Sequence, residues 1–248
     1  MRRPLAAIAV LALTAALAAC GSDKKDTGKK PAGTTATQAK QGTTAAAAPS
    51  PAGEKRCVKE SEPKPKGPQH LPKPKLKLDP DKTYQAVMVT SCGNFTITLD
   101  VKQAPKTSAS FAYLAKRGFY DDTIFHRIVP NFVIQGGDPQ GTGTGGPGYK
   151  VVEAPPDGIR YTKGVVAMAK TEIEDPGTSG SQFYVVTAPD AQLPAEYALL
   201  GKVTQGQNVV ERIAVVPTDA ANPDPSKQER PRNPVVLRSV TINESKTK

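Results

Sequence analysis

Apolar and polar residues alternate in short stretches between residues 81 and 246, and turns containing Gly or Pro separate these stretches. Residues 84–90 and 95–99 carry such patterns on either side of Cys92-Gly93-Asn94, which predicts a β-hairpin. The remaining strands are predicted at residues 123–128, 132–135, 164–169, 183–187, 197–203 and 235–242. Many short strands joined by tight turns favour an antiparallel barrel.

Two segments have helical spacing instead of alternation. In the first, Pro105 stands at the start and Gly118 at the end, and Phe111, Ala112 and Leu114 share one face. A second helix is predicted at residues 208–215. The sequence therefore predicts one all-β domain with two helices, long enough to bury a single core.

The beginning of the chain is typical of an export signal. Arg2 and Arg3 precede an apolar run over residues 5–19, which is too short to span a bilayer comfortably. The run ends in Leu17-Ala18-Ala19-Cys20, which resembles the lipobox of bacterial lipoproteins. The resemblance implies a signal peptide over residues 1–19, lipidation of Cys20, and a lipid anchor on the extracytoplasmic face of a bacterial membrane. The alternative is an ordinary secretory signal in which Cys20 has no special role.

Residues 20–80 are predicted to form a disordered tether rich in Lys and Pro, because they contain almost no large apolar side chains. Residues 21–80 hold 13 Lys or Arg and six Asp or Glu, which accounts for +7 of the formal charge of +10. The tether is interpreted either as a solvated spacer or as a segment attracted to anionic headgroups or cell-wall polymers. No nucleic-acid partner is expected, because no aromatic residues are interleaved with the charges.

Two cysteines remain after Cys20, and an even number in an oxidising compartment favours a disulfide. We predict a Cys57–Cys92 bond that holds residues 54–80 along the domain surface. The alternatives are two free thiols or a Cys92 that is simply buried. No metal site is expected, because His70 and His126 are the two histidines of the chain and neither has Cys or His partners at ligand spacing.

Residues 125–138 read FHRIVPNFVIQGGD, and they place a guanidinium, a phenyl ring and a carboxamide within nine residues. This motif resembles the signature of the cyclophilin family of peptidyl-prolyl cis/trans isomerases, and the resemblance extends in matching order to about residue 242. It implies a closed eight-stranded antiparallel β-barrel with a helix over each open end, and it assigns that domain to residues 81–246.

The resemblance also implies roles for individual residues. Arg127 would be the catalytic arginine, Phe132 would form the floor of the proline pocket, and Gln135 would bind the substrate backbone. These roles suit a rigid cationic donor, an apolar ring and an amide that both donates and accepts. The further substrate-binding positions implied are Val133, Ala169, Gln182, Phe183, Leu193 and Tyr197. The family pattern gives His126 no catalytic role.

The glycine-rich stretch at residues 141–146 formally matches a dinucleotide-binding motif. Pro147-Gly148-Tyr149 follows it, so no helix can open there, and nucleotide binding is rejected. The stretch instead resembles the cyclophilin loop that rims the substrate groove. Rotation about a peptide bond breaks no bond, so neither a cofactor nor a metal is expected.

Two segments depart from the family pattern. Lys170 replaces a common Asn, and the acidic insert at residues 170–179 either biases the groove toward basic substrates or is only a solvated loop. Residues 193–197 read LPAEY in place of the usual pattern. The expected function is isomerisation of Xaa-Pro bonds in proline-containing exported polypeptides by a monomeric, membrane-anchored enzyme. The alternative is a proline-peptide binding module or holdase chaperone with weak isomerase activity.

Overall fold

The computed structural model of the protein describes residues 56–246. Within this range two α-helices accompany the strands, α1 (Pro105–Ala115) and α2 (Gln207–Ala214), together with a one-turn 3₁₀ helix at Pro225–Lys227. The strands are β1 (Lys82–Thr90), β2 (Gly93–Leu99), β3 (Thr123–Ile124), β4 (Arg127–Val129), β5 (Val133–Gly136), β6 (Val151–Val152), β7 (Val165–Met168), β8 (Thr178–Ser179), β9 (Phe183–Val186), β10 (Leu199–Gln205) and β11 (Val236–Lys246). No helix in the described range is long and apolar enough to cross a membrane.

Nine strands form one antiparallel sheet in the order β3-β11-β1-β2-β10-β7-β9-β5-β4, while β6 pairs with β8. The predicted hairpin is present as β1 and β2, with Val89 opposite Asn94. The last strand, β11, returns to pair with β1 along its whole length. The β4–β5 hairpin lies at the other end of the order and carries the signature motif.

The predicted fold class, mainly antiparallel β with two helices, is confirmed, but the barrel is less completely closed than expected. The predicted strand over residues 123–128 is interrupted at Phe125 and His126, so it becomes the two short strands β3 and β4. These two strands are the outer members of the nine-stranded sheet and are not neighbours in it. An isolated bridge between Ile124 and Asp138 links β3 to the segment after β5. The sheet therefore curls into a half-barrel whose backbone ladder does not run all the way round.

The core lies inside the curled sheet and is dominated by aromatic side chains. Phe111 of α1 stacks on Tyr120 at a centroid distance of 4.7 Å, and Phe183 of β9 meets both rings edge-on. The first turn of α1 has Pro105 at its start, which suits a position whose backbone N–H has no helical partner. The Glu153 carboxylate accepts hydrogen bonds from the next two backbone N–H groups, those of Lys106 and Thr107.

Residues 56–80, which we call the N-terminal segment, run in extended form along the domain. Three backbone hydrogen bonds attach it: Val58 to Ser91, Lys66 to Pro139, and Leu71 to Pro147, at N–O distances of 2.7, 2.9 and 2.8 Å. Leu71 and Leu76 pack against the core, and Leu78 is buried in it.

The expected disorder of the tether is therefore wrong for its residues 56–80. Few apolar side chains are present in the segment, but backbone hydrogen bonds and ion pairs hold much of it. A disulfide joins Cys57 to Cys92, which is the predicted pairing. Glu60 pairs with Arg238 and Glu62 with Arg230. The signal peptide over residues 1–19, the lipidation site Cys20 and the remainder of the tether lie outside the described residues.

Candidate active site

A cleft of about 850 Å³ opens beside the β4–β5 hairpin. Seven of the nine site residues predicted from the sequence line it: Arg127, Phe132, Val133, Gln135, Ala169, Leu193 and Tyr197. Gln182 lies next to it and touches Gln135, whereas Phe183 is elsewhere. The cleft therefore gathers residues from β4, β5 and the segments that follow β7 and β9.

Arg127 is placed by the pairing of β4 with β5. It stands directly opposite Gln135 in the ladder, and its Nη1 donates to Gln135 Oε1 at 3.5 Å. The guanidinium carbon lies 5.9 Å from the centre of the Phe132 ring. Asn131, in the turn between the two strands, has a φ of 56°, and this tight turn brings Phe132 back toward the arginine. A cation, an amide and an aromatic ring thus meet at one end of the cleft.

Gln135 belongs to a chain of amides that ends on the glycine-rich loop. Its Nε2 donates to Gln182 Oε1 at 3.0 Å, and Gln182 Nε2 donates to the carbonyls of Gly143 and Gly145, both at 2.9 Å. The backbone N–H of Ala169 donates to the carbonyl of Gln182 at 2.9 Å. Because each amide is already oriented, the polar wall of the cleft is organised before any ligand arrives.

The apolar part of the cleft is a separate hydrophobic cluster. Val133 and Tyr184 are buried in it, and Phe132, Leu193 and Tyr197 pack against it with part of their surface exposed. The Tyr184 and Tyr197 rings meet edge-on at 5.5 Å. The cluster forms an apolar pocket beside a cationic donor, which suits a small ring attached to a polar backbone.

A sequence profile described as "Cyclophilin type peptidyl-prolyl cis-trans isomerase/CLD" matches residues 85–242. The chain belongs to this family. Its isomerase class, expected from the signature motif, is confirmed.

Cyclophilins from several eukaryotes are similar to this chain. Peptidyl-prolyl cis-trans isomerase-like 1 of Neurospora crassa is 43% identical over 152 residues, which cover 60% of this chain and 87% of that protein. The Aspergillus fumigatus protein of the same name is 39% identical over 163 residues, covering 64% and 95%.

Solved structures are also similar. A crystal structure of a Cryptosporidium parvum cyclophilin-type isomerase superposes with a TM-score of 0.59 at 30% identity, covering 65% of this chain and 98% of that one. A second crystal structure of that protein, in the presence of the dipeptide Ala-Pro, gives a TM-score of 0.58 at 30% identity, with coverages of 64% and 98%.

The role predicted for Phe183 as a pocket wall of this cyclophilin is wrong, because its ring is fully buried in the main core. It meets Phe111, Tyr120 and Phe125 edge-on, away from the cleft. Its neighbour Tyr184 lines the cleft instead. Successive side chains of a strand point to opposite faces, so the pocket position was misassigned by one residue. Gln182 borders the cleft two positions before Tyr184, so strict alternation from Gln182 would have pointed to Tyr184 instead of Phe183.

Asp138 organises the glycine-rich loop from a fully buried position. Its carboxylate accepts from the backbone N–H groups of Gln140, Thr142, Gly143 and Gly145 at 2.7, 2.9, 2.6 and 3.1 Å. Burial opposes ionisation, but the N–H donors outweigh it and lower the pKa of Asp138. No role was predicted for Asp138 from the sequence, although an acid just before a glycine-rich loop can accept hydrogen bonds from the backbone N–H groups of that loop.

His126 is buried beside the cleft, and neither ring nitrogen has a hydrogen-bond partner among the described residues. Burial lowers the pKa of His126 to about 4; the Asp138 carboxylate opposes this shift, while Arg230 and Arg127 add to it. The imidazole is therefore neutral at physiological pH and acts as packing. That His126 has no catalytic role stays a prediction.

Lys170 lines the cleft, but its side chain is buried and its charge is paired. Its side chain is only 4% exposed and pairs with Glu196 at 3.1 Å. Its Nζ also donates to the carbonyl of Glu174 at 3.2 Å and lies 5.6 Å from the Tyr197 ring centre. Glu174 of the acidic insert pairs at 2.8 Å with Lys150, a residue outside the insert, so this carboxylate is not an unpaired charge. Lys170 thus presents no unpaired charge to the cleft.

The cleft also contains a second set of residues that were not predicted from the sequence. Glu229 and Arg230 come from the loop before β11, and Glu62 and Pro65 come from the N-terminal segment. Arg230 donates from Nη1 to the Gly141 carbonyl at 2.7 Å and from Nη2 to Glu62 at 2.6 Å. Glu229 and Arg230 lie more than 60 residues after the signature motif, and Glu62 and Pro65 lie before the residues that the family profile matches. No local sequence pattern therefore pointed to them.

Proposed function

We propose that this cyclophilin accelerates rotation about Xaa-Pro bonds by hydrogen bonding from Arg127 to the twisted amide, without a covalent intermediate. The observation that carries the proposal is the meeting of the Arg127 guanidinium, the Phe132 ring and the Gln135 amide in one cleft. A peptide-bound proline offers a ring, a tertiary amide nitrogen and neighbouring carbonyls, and the cleft has a complementary group for each.

The chemistry follows from amide resonance. Rotation has a barrier of about 18–20 kcal/mol because the planar amide must lose its partial double bond. In the twisted form the prolyl nitrogen is pyramidal and its lone pair can accept a hydrogen bond. Arg127 is always charged and its donors are rigid, so it favours this form over either planar form.

The other cleft residues hold the substrate while the bond turns. Phe132 packs on the pyrrolidine ring, with Val133, Tyr184, Leu193 and Tyr197 around it. Gln135 holds a backbone group next to the proline, and its orientation is fixed through Gln182. Keeping the ring and one backbone group in place confines the motion to the single bond that must rotate. That a related structure was obtained in the presence of Ala-Pro supports a proline-containing ligand for this cleft.

The test is a comparison of Arg127→Ala with Arg160→Ala, an exposed arginine that pairs with Asp190 outside the cleft. We expect Arg127→Ala to lower kcat for a short Xaa-Pro peptide on the order of 100-fold while peptide Kd changes only a few-fold. Arg160→Ala should leave both unchanged. Equal losses in kcat and affinity would instead favour the alternative, a proline-peptide binding module or holdase with weak isomerase activity.

We further propose that the enzyme is exported, is anchored through Cys20 on the extracytoplasmic face of a bacterial membrane, and acts as a monomer on exported polypeptides. The Cys57–Cys92 disulfide supports this, because such bonds persist mainly in oxidising compartments. Uncatalysed prolyl isomerisation takes tens to hundreds of seconds and can limit folding there, and its catalysis needs no ATP.

Membrane anchoring is tested by Cys20→Ala. The variant should leave the membrane fraction, whereas the parent protein should be released only by detergent. Firm retention of the variant would overturn the anchor. Light scattering on the detergent-solubilised parent protein measures its molar mass. The mass of one chain is expected, and a mass of two chains would contradict the monomer.

A further inference from the structure

Arg127 has a partner that is not part of the signature motif. Glu229 accepts from Arg127 Nε at 2.5 Å and from Nη2 at 3.5 Å. The carboxylate therefore occupies the Nε–Nη2 edge of the guanidinium. The remaining terminal nitrogen, Nη1, is the one that donates to Gln135, which lines the cleft.

The backbone around Glu229 is attached to the catalytic strand. The Glu229 carbonyl accepts from the N–H of Ile128, the residue after Arg127, at 2.8 Å. Glu229 is thus held by its main chain one residue away from the arginine that its side chain contacts.

Residues 217–232, which we call the 217–232 loop, are closed on themselves at their base. Arg232 N donates to Pro217 O and Asp219 N to Arg230 O, both at 2.9 Å, and Thr218 forms a bridge with Pro231. Arg230 then ties the loop to the glycine-rich loop through Gly141. The main chain that carries Glu229 is therefore held by several contacts on both sides.

The ion pair is poorly placed to contribute to stability. The Arg127 and Glu229 side chains are 33% and 45% exposed, and solvent-exposed pairs contribute little to folding. What the contact does fix is the rotation of the guanidinium plane, because two nitrogens on one edge meet one carboxylate. An arginine without such a partner would sample several rotamers, and only some of them point a donor at the prolyl nitrogen.

We propose that Glu229 is a positioning residue: it holds the Nε–Nη2 edge of Arg127 so that Nη1 is aimed into the proline pocket. This inference rests on the proposed function of Arg127. The 217–232 loop is accordingly part of the active-site architecture, although it lies far from the signature motif in sequence.

The experiment compares Glu229→Ala, Glu229→Gln and Glu211→Ala in the full-length protein, using a short Xaa-Pro peptide. Glu211 is an α2 carboxylate whose partner is Lys163, so its variant controls for loss of one surface charge. We expect Glu229→Ala to lower kcat about fivefold with KM changed less than about twofold. Glu229→Gln keeps an oxygen that accepts from Nε and should recover at least half of the lost rate. Melting temperatures of all variants should stay close to that of the parent.

A double variant separates this inference from the proposed function. In an Arg127→Ala background, Glu229→Ala should cause no further loss, because there is no guanidinium left to orient. If Arg127→Ala lowers kcat but Glu229→Ala leaves kcat unchanged or raises it, the positioning role is overturned and the function of Arg127 stands. A Gln variant as slow as the Ala variant, or an equal loss in Glu211→Ala, would also overturn it. If Arg127→Ala keeps its kcat, the proposed function itself fails.

Discussion

Phe183 and Tyr184 are consecutive residues of β9, and their rings lie on opposite faces of the sheet. Phe183 meets three aromatic rings in the main core, whereas Tyr184 belongs to the cluster that forms the apolar end of the cleft. A register shift of one residue would exchange the two rings, so the pairing of β9 with β5 and β7 determines which ring reaches a ligand.

Replacing Tyr184 with Phe should not lower the free energy of unfolding and is expected to raise it. The Tyr184 hydroxyl is buried without a hydrogen-bond partner among the described residues. Removing it deletes an unsatisfied polar group, so the free energy of unfolding should rise by about 1 kcal/mol, with kcat/KM nearly unchanged. Urea denaturation and the peptide assay measure the two quantities.

Tyr161→Phe is the matched control for that substitution. The Tyr161 hydroxyl donates to the Tyr197 carbonyl at 2.6 Å and accepts from the Tyr197 N–H at 3.0 Å. Its removal should lower the free energy of unfolding by about 1–2 kcal/mol. A Tyr184→Phe variant that is destabilised as much as the control would show that the Tyr184 hydroxyl has a partner.

Replacing Asp138 with Asn should loosen the glycine-rich loop. The carboxylate accepts four backbone N–H groups, and an amide side chain offers only one oxygen for them. We expect a loss of about 2–3 kcal/mol in unfolding free energy. We also expect a lower kcat/KM, because Gly143 and Gly145 hold Gln182 in place. Unchanged protease sensitivity of residues 140–146 would contradict this prediction.

The stability of the protein should fall in mildly acidic solution because of His126. Its folded-state pKa of about 4 lies below its ordinary value of 6.5, so the unfolded chain binds more protons between these two pH values. The free energy of unfolding therefore decreases as pH falls through this window, by up to about 3 kcal/mol from this group. The lowered pKa of Asp138 acts in the same direction, but only below its ordinary value of 3.8.

Denaturation at pH 7 and pH 4.5 measures this effect, with His126→Gln as the comparison. The variant should show a smaller difference between the two pH values. Because the imidazole is neutral above about pH 5, kcat should not change with its titration between pH 6 and 8. A step in kcat near pH 6.5 that disappears in the variant would refute the packing role.

Loss of the Cys57–Cys92 bond should destabilise the domain. The bond spans a sequence separation of 35 residues, for which the chain-entropy argument gives about 3–4 kcal/mol. The double variant Cys57→Ser/Cys92→Ser should therefore unfold at lower denaturant concentration. Addition of a reductant should reproduce that shift in the parent and add nothing in the variant. A parent midpoint that does not respond to reductant under unfolding conditions would argue against the bond.

Much of the fold and of the site was predictable because the relevant signals are local. Period-two patterns located most strands, Pro105 marked the start of α1, and the signature motif identified Arg127, Phe132 and Gln135. These three side chains meet because β4 and β5 form a hairpin whose strands are adjacent in sequence.

The remainder depended on contacts between distant parts of the chain. Glu229 reaches Arg127 across 102 residues, and Glu62 reaches Arg230 across 168. Composition likewise could not show that residues 56–80 are ordered, since backbone groups and ion pairs hold the segment as much as apolar side chains do. The misassignment of Phe183 has a different origin. Phe183 and Tyr184 are adjacent in β9 but face the core and the cleft respectively, so a shift of one residue in the alignment changes the assignment.

If Cys20 carries the lipid proposed above, the ordered N-terminal segment limits how far the catalytic domain can stand from that lipid. A fully extended chain spans at most about 3.3–3.6 Å per residue. If the chain were free as far as residue 81, its 61 residues would allow a height of about 200–220 Å. Because Cys57 is fastened to the domain, only 37 residues remain, and the height falls to about 120–130 Å. The disulfide, together with the hydrogen bonds and ion pairs of residues 58–80, would therefore set the radius within which an enzyme anchored at Cys20 can meet its substrates.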